Sequence, residues 1–87
     1  MSSRIAVLAS GRGSNLQAIL DAIAAQQLDA QVVAVLSDKP DASALLKVSP
    51  AQRWARSPKG YPDRAAFDAA MADALDAFAP DWIVCAG

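Results

Sequence analysis

The stretch RIAVLASGRGSNLQ, residues 4–17, joins an aliphatic run to a glycine turn and then to a helix-spaced apolar pattern. Arg4–Ala9 is short, apolar and rich in aliphatic side chains, which predicts a buried strand. Beyond the turn, Leu16, Ile19, Leu20 and Ile23 recur at helical spacing, with Gln17, Asp21 and Gln26 off that stripe. Ser14 followed by Gln17 has the form of a capping box, so the spacing predicts a helix that begins at Ser14 or Asn15. A tight turn needs one glycine. Two glycines followed by Ser14 and Asn15 suggest that something must come close to the backbone.

Working outward, Gln31–Ser37 is again aliphatic and β-branched and predicts a second buried strand. Asp38–Asp41 reads as a turn, and Ala42–Val48 as a short helix stopped by Ser49–Pro50. Pro50, Pro58, Gly60 and Pro62 predict irregular structure, with a short strand near Trp54. Asp63 is placed to cap a helix running to about Phe78, with Phe67, Met71, Leu75 and Phe78 on its buried stripe. Trp82–Ala86 predicts a last buried strand, with Cys85 as a core residue rather than a nucleophile. The alternation implies an α/β domain spanning residues 1–87: a Rossmann-like open, mostly parallel sheet with helices on both faces. In such sheets ligands bind at the carboxyl ends of the strands, the edge on which residues 9–17 lie. The chain stops at Gly87, where an inner strand would feed its next loop, so truncation is expected there.

Composition narrows the function. The chain has 87 residues, a formal net charge of −1 and 54% hydrophobic residues, which argues against disorder and against a global field for nucleic acid or membrane. All nine acidic residues are aspartates and there is no histidine, which removes the commonest general base and zinc ligand; no metal site is expected. The lone Cys85 fits a reducing cytoplasm. Basic residues gather in 47–64 as Lys47, Arg53, Arg56, Lys59 and Arg64, a solvated loop or a face for an anion. Trp54 and Tyr61 flank these bases, but without a recognised binding module base stacking is disfavoured.

A strand, a glycine turn and a helix N-terminus together make an anion site. The first-turn N–H groups lack helical partners and the helix dipole favours negative charge. Gly11 and Gly13 admit close approach, Ser14 and Asn15 add side-chain hydrogen bonds, and Arg12 is nearby. A P-loop fails, because no Gly-Lys-Ser/Thr follows at the required spacing. A dinucleotide fingerprint is incomplete: Leu16 stands where the third glycine belongs, although Asp38 is placed like a ribose-binding acid. A phosphomonoester is the better fit.

These segments resemble a known family. IAVLASGRGSNLQAILDA, VVAVLSDKPDA and DRAAFDAAMADALDAFAPDWIVCAG are similar to the N-terminal part of phosphoribosylglycinamide formyltransferases, the folate-dependent transferases of purine biosynthesis. The resemblance implies a formyltransferase-type fold and transfer of a formyl group from 10-formyltetrahydrofolate, as co-substrate, to the amine of 5-phosphoribosylglycinamide. It implies that Gly13, Ser14 and Asn15 hold the substrate phosphate and that Arg64 contacts the formyl-folate. Arg53, Arg56 and Lys59 are further candidates for the folate's carboxylates.

Residues 43–62 follow the family poorly. The family's catalytic asparagine, histidine and aspartate fall after the point where this chain stops, so no catalytic residue is expected within it and the 87 residues alone are expected to be inactive. Small-molecule partners, no nucleic acid, no membrane, a cytoplasmic location and a monomer or homodimer are the accompanying expectations. The alternatives are a non-catalytic nucleotide- or dinucleotide-binding module of the same fold and a non-binding fold fragment with an unpaired edge strand.

Overall fold

A computed structural model describes residues 3–9, 11 and 13–85. In chain order these form β1 (Ser3–Leu8), α1 (Ser14–Ala24), β2 (Ala30–Ser37), β3 (Arg53–Ala55), α2 (Arg64–Phe78) and β4 (Trp82–Cys85). Short 3-10 turns at Ser43–Lys47, Pro50–Gln52 and Pro58–Gly60 fill the connection around β3. The strands make one sheet in the order β3-β2-β1-β4, and all three pairings are parallel. The chain therefore steps outward from β1 to β3 and returns to the opposite side of β1 for β4. That reversal is a topological switch point, and it lies at β1.

Each strand of the central pair contributes to two cores. Ile5, Val7 and Ala9 of the first segment pack with Leu16, Ile19, Leu20 and Ile23 of α1. The alternate residues Ala6 and Leu8 face Met71, Leu75 and Phe78 of α2 together with Ala34 and Leu36. This is period-two alternation with both faces covered, which explains why β1 reads as a continuous apolar run. The alanines matter on the α2 side: Ala6 and Ala34 are fully buried and let the helix approach the sheet closely. Phe67 is the largest fully buried side chain, in edge contact with Tyr61 (5.5 Å between centroids) and tilted against Trp54 (5.9 Å). Trp54 and Tyr61 are thus packing residues of the α2 side.

The last strand differs from expectation. β4 is an edge strand among the described residues, paired with β1 alone. Trp82 and Ile83 are exposed, at 63% and 52%, and Cys85 is an exposed free thiol rather than a core residue. An apolar four-residue run reads alike on an inner or an outer strand, because neighbour number is a property of topology and not of local pattern.

Arg4 ties this edge to the rest. Its guanidinium donates to the carbonyls of Ala79 (3.0 Å) and Phe78 (2.6 Å), which are left over at the end of α2. Its backbone N–H donates to the Asp81 carboxylate at 2.8 Å, and its carbonyl accepts from the Asp81 N–H at 2.8 Å. A cation at a helix C-terminus is also favoured by the dipole. Ala79 stands in the left-handed region at φ 51°, turning the chain sharply between α2 and β4.

Arg4→Ala is therefore expected to cost about 1–2 kcal/mol of stability in urea unfolding, with β4 amides losing exchange protection before those of β2. An unchanged midpoint and unchanged protection would contradict the role assigned to Arg4.

Candidate phosphate turn and switch-point crevice

The helix that follows β1 begins at Ser14, as the spacing predicts, but not by a capping box. Gly13 is the N-cap, at φ 80° and ψ 29°, and no side chain bonds the first turn. Gln17, expected to reach back to the cap, points elsewhere. Its amide donates to Asp21 Oδ1 at 2.9 Å, and its carbonyl oxygen accepts from Lys47 Nζ at 2.8 Å.

Gly13 is required for two separate reasons. Its backbone lies where an L side chain is strained. It is also buried against the first 3-10 turn: a Cβ there would meet the Ala44 Cβ at 2.8 Å, the Ala44 Cα at 3.0 Å and the Lys47 Cε at 3.1 Å. Gly11 differs. It is exposed, has open space where a Cβ would stand and does not have a positive φ, so the described structure itself does not demand glycine there. Its carbonyl accepts from the Ala44 N–H at 3.2 Å, which ties the β1–α1 turn to the β2–β3 connection. Arg12 lies outside the described residues.

The consequence is an open helix N-terminus at the carboxyl edge of the sheet. Ser14 and Asn15 are exposed, and among the described residues their side chains make no hydrogen bond. The first hydrogen bond of the helix is Gln17 N–H to the Gly13 carbonyl, 2.8 Å. The N–H groups of Ser14, Asn15 and Leu16 precede it and have no helical acceptor. Three adjacent donors, the positive end of the dipole and two short polar side chains can hold a tetrahedral anion. Lys47, missed as a neighbour of this turn by sequence reasoning, adds a cation whose stem runs along Gly13. Residue spacing carries no signal for that contact, because the 3-10 turn brings it in from thirty residues away.

Beside the turn lies a crevice of about 430 Å³ at the ends of β1, β2 and β4. Leu8, Ala9 and Leu36 form its apolar part, with Met71 of α2. Ser37, Asp38, Arg64 and Cys85 supply its polar groups. This is the switch-point position where open α/β sheets bind ligands. Ser37 is buried and its hydroxyl accepts from the Lys39 N–H at 3.0 Å, which shapes the turn after β2. Asp38 presents a carboxylate oxygen, Oδ1, that is buried without a hydrogen-bond partner.

Arg64 is the first residue of α2, behind the Asp63 N-cap whose carboxylate accepts from the Ala66 N–H at 2.8 Å. Its guanidinium meets Asp68 at 3.2 Å and lies 5.1 Å from the Phe67 ring centroid. The Asp68 pair is well exposed on both sides and of small worth, so Arg64 is available to an incoming anion. Gly13, Ser14 and Asn15 do not line the crevice; Ala9 does, and it leads directly into their turn.

The other bases separate. Arg53 donates through Nε and Nη2 to the Val48 carbonyl, at 3.1 and 2.8 Å, and so braces the connection instead of facing a ligand. Arg56 bonds the Ala55 carbonyl and lies over Trp54 at 5.4 Å. Neither joins Arg64 in the crevice. Among the described residues no group of acidic, histidine or cysteine side chains could hold a metal ion.

A parallel four-stranded sheet covered by helices, with a glycine turn after its first strand, places the chain in the broad class of Rossmann-like α/β folds. Within it the assignment is specific: the formyl transferase profile matches residues 3–87, and the chain belongs to that family. It is 38% identical to the phosphoribosylglycinamide formyltransferase of Haemophilus influenzae, over 97% of this chain and 41% of the relative. It is 40% identical to the trifunctional purine biosynthetic protein adenosine-3 of Bos taurus, over 98% of this chain and 9% of the relative. The crystal structure of glycinamide ribonucleotide transformylase 1 from Symbiobacterium toebii superposes with a TM-score of 0.89 at 42% identity, covering 99% of this chain and 42% of that one. The chain thus spans about two fifths of the length of the bacterial proteins it matches.

Gly13→Ala is expected to destabilise the chain by roughly 2–3 kcal/mol, part from the positive φ and part from the Ala44 contact. Adding Ala44→Gly should recover some of the loss, as a favourable coupling in a double-mutant unfolding cycle. Strict additivity would show that the contact is absent.

Proposed function

We propose that the protein carries the substrate-phosphate part of a phosphoribosylglycinamide formyltransferase. The reaction is transfer of a formyl group from 10-formyltetrahydrofolate to the amine of 5-phosphoribosylglycinamide, in purine biosynthesis. Gly13, Ser14 and Asn15 bind the phosphate and Arg64 faces the formyl-folate. The observation that carries the reading is the uncapped N-terminus of α1 at the carboxyl edge of the sheet, opened by Gly13 at φ 80°. Family membership over residues 3–87 supplies the chemistry for which such a phosphate anchor is used.

Anchoring the phosphate uses a part of the substrate that does not react. Its binding energy orients the amine, which must attack the formyl carbon and pass through a tetrahedral oxyanion. The turn does this with backbone donors fixed by the fold, so little order is lost on binding. The folate co-substrate supplies the formyl group. A residue that meets it needs a mobile cation for its carboxylates, and the weakly engaged Arg64 guanidinium at the crevice fits that need.

The dinucleotide-binding alternative is weaker on packing grounds. Leu16 is fully buried at the contact between α1 and the sheet, the place where a dinucleotide turn uses glycine for close helix approach. A cytoplasmic setting and a monomeric or homodimeric state are parts of the same proposal. No helix among the described residues is long and apolar enough to cross a membrane.

Calorimetry tests the two binding roles separately. Asn15→Ala is expected to weaken 5-phosphoribosylglycinamide by about tenfold and leave a folate probe, 5-formyltetrahydrofolate, unaffected. Arg64→Ala should do the reverse. Equal affinity of parent and Asn15→Ala for the ribonucleotide would remove the phosphate role.

A further inference from the structure

The carboxyl edge of the sheet continues past the crevice to β3. Because the strands are parallel, Arg56, the first residue after β3, emerges on the same edge as the end of β2. Its backbone N–H donates to the Ser37 carbonyl at 3.2 Å, and Ser37 lines the crevice. Arg56 therefore stands on the crevice rim, on the side away from β4. Its guanidinium lies over the Trp54 ring, 5.4 Å from the centroid. Trp54 packs on Phe67 at 5.9 Å, and the Arg64 guanidinium lies 5.1 Å from the centroid of that same Phe67 ring. One aromatic cluster on the α2 face thus carries two guanidiniums, one at the crevice wall and one on the rim outside it.

Neither cation is consumed by the fold. Arg56 is exposed, and its guanidinium donates to the carbonyl of its own neighbour Ala55, at 2.7 Å. Among the described residues it makes no ion pair; Asp41 lines a hollow with it beside β3 but is not paired to it. Arg64 has the exposed Asp68 as its acidic partner, and Asp63 is engaged as the cap of α2. Lys59 is exposed on the 3-10 turn between the two arginines and adds a further positive charge. Arg53 is set apart from this row, because the Val48 carbonyl takes its donors. A guanidinium held flat on a ring keeps its N–H edge outward, the geometry that grips a carboxylate at two points.

The complement of this row is a chain of carboxylates with an apolar body at one end, since the crevice wall is apolar at Leu8, Ala9, Leu36 and Met71. An acidic protein segment matches the charge but has no such body to seat there. A folate has both parts when its tail carries more than one γ-linked glutamate, because each glutamate adds a carboxylate further from the ring system. A single glutamate reaches one cation. A longer tail that leaves the crevice past Arg64 and follows the rim toward β3 meets the second.

We propose that Arg56 binds the second or a later carboxylate of a poly-γ-glutamyl folate tail, so that the protein selects longer-tailed folates over the monoglutamate. This role rests on the reading of Arg64 as the residue that faces the formyl-folate, and it extends that site beyond the crevice. It makes Arg56 a specificity-determining residue with no part in the transfer itself.

The test compares 5-formyltetrahydrofolate with its tri-γ-glutamate form by calorimetry on the full chain. The parent is expected to bind the triglutamate about fivefold more tightly at low salt, as for exposed charge-assisted pairs. Raising the salt should narrow that gap. Arg56→Gln should remove most of the preference, and Arg56→Lys, which keeps the charge but loses the flat fork, should retain part of it. Arg64→Ala should weaken both forms. Equal binding of the two forms by the parent, or a preference that survives in Arg56→Gln, would overturn the role of Arg56. The reading of Arg64 would then stand if Arg64→Ala still weakened the monoglutamate. Failure of both forms to bind the parent would overturn both readings. A lower melting temperature of Arg56→Gln with unaltered tail preference would mark Arg56 as a packing residue over Trp54 and overturn the proposal.

Discussion

The absence of a side chain at Gly13 is the constraint on which the rest of the structure depends. The left-handed backbone at that point turns the chain from β1 into α1 without a capping side chain, and the bare Cα lets Ala44 close to within contact distance. With a larger residue, the helix would have to pull away from the 3-10 turn. The Gly11–Ala44 bond would then be lost, and the two loops at the carboxyl edge would separate. The same residue that permits the packing also leaves the first-turn donors unclaimed. The packing and the proposed anion site therefore depend on one backbone conformation, and substitution at Gly13 cannot separate them cleanly.

The sheet supplies the second half of the arrangement. Because β1 is flanked by β2 on one side and β4 on the other, the strand order reverses at β1, and the crevice lies at the carboxyl ends of these three strands. Small side chains on the α2 face draw that helix down, which brings Arg64 at its first turn and Met71 about two turns further along to the crevice wall. The charges sort themselves accordingly: donors at the start of α1, an exposed guanidinium at the start of α2, and, among the described residues, a buried carboxylate oxygen of Asp38 just after β2.

Much of this was legible in residue order. The aliphatic runs at Arg4 and Gln31 became the paired central strands, and the Asp63 cap and the Phe67–Phe78 stripe became α2 as expected. These are local signals, and period and capping chemistry act locally. The failures lay where a non-local contact decides. Ser14 and Gln17 have capping-box spacing, yet Lys47 and Asp21 claim Gln17, and a left-handed Gly13 takes over the cap. WIVC reads as buried, yet among the described residues it is the edge of the sheet, with Cys85 exposed. Arg53 belongs to a basic run, yet the Val48 carbonyl takes both its donors. Gly13, Ser14, Asn15 and Arg64 were singled out by motif and resemblance. Asp38 was noticed only for a dinucleotide, because an unsatisfied buried atom is visible only once the fold is known.

The most direct measurement of the central claim is a backbone amide NMR titration with 5-phosphoribosylglycinamide. The account predicts saturable shifts that are largest at Gly13, Ser14, Asn15 and Leu16 and that shrink as salt is raised, since first-turn donors take up the phosphate. A saturating titration in which those four amides stay fixed, while residues elsewhere move, would contradict it.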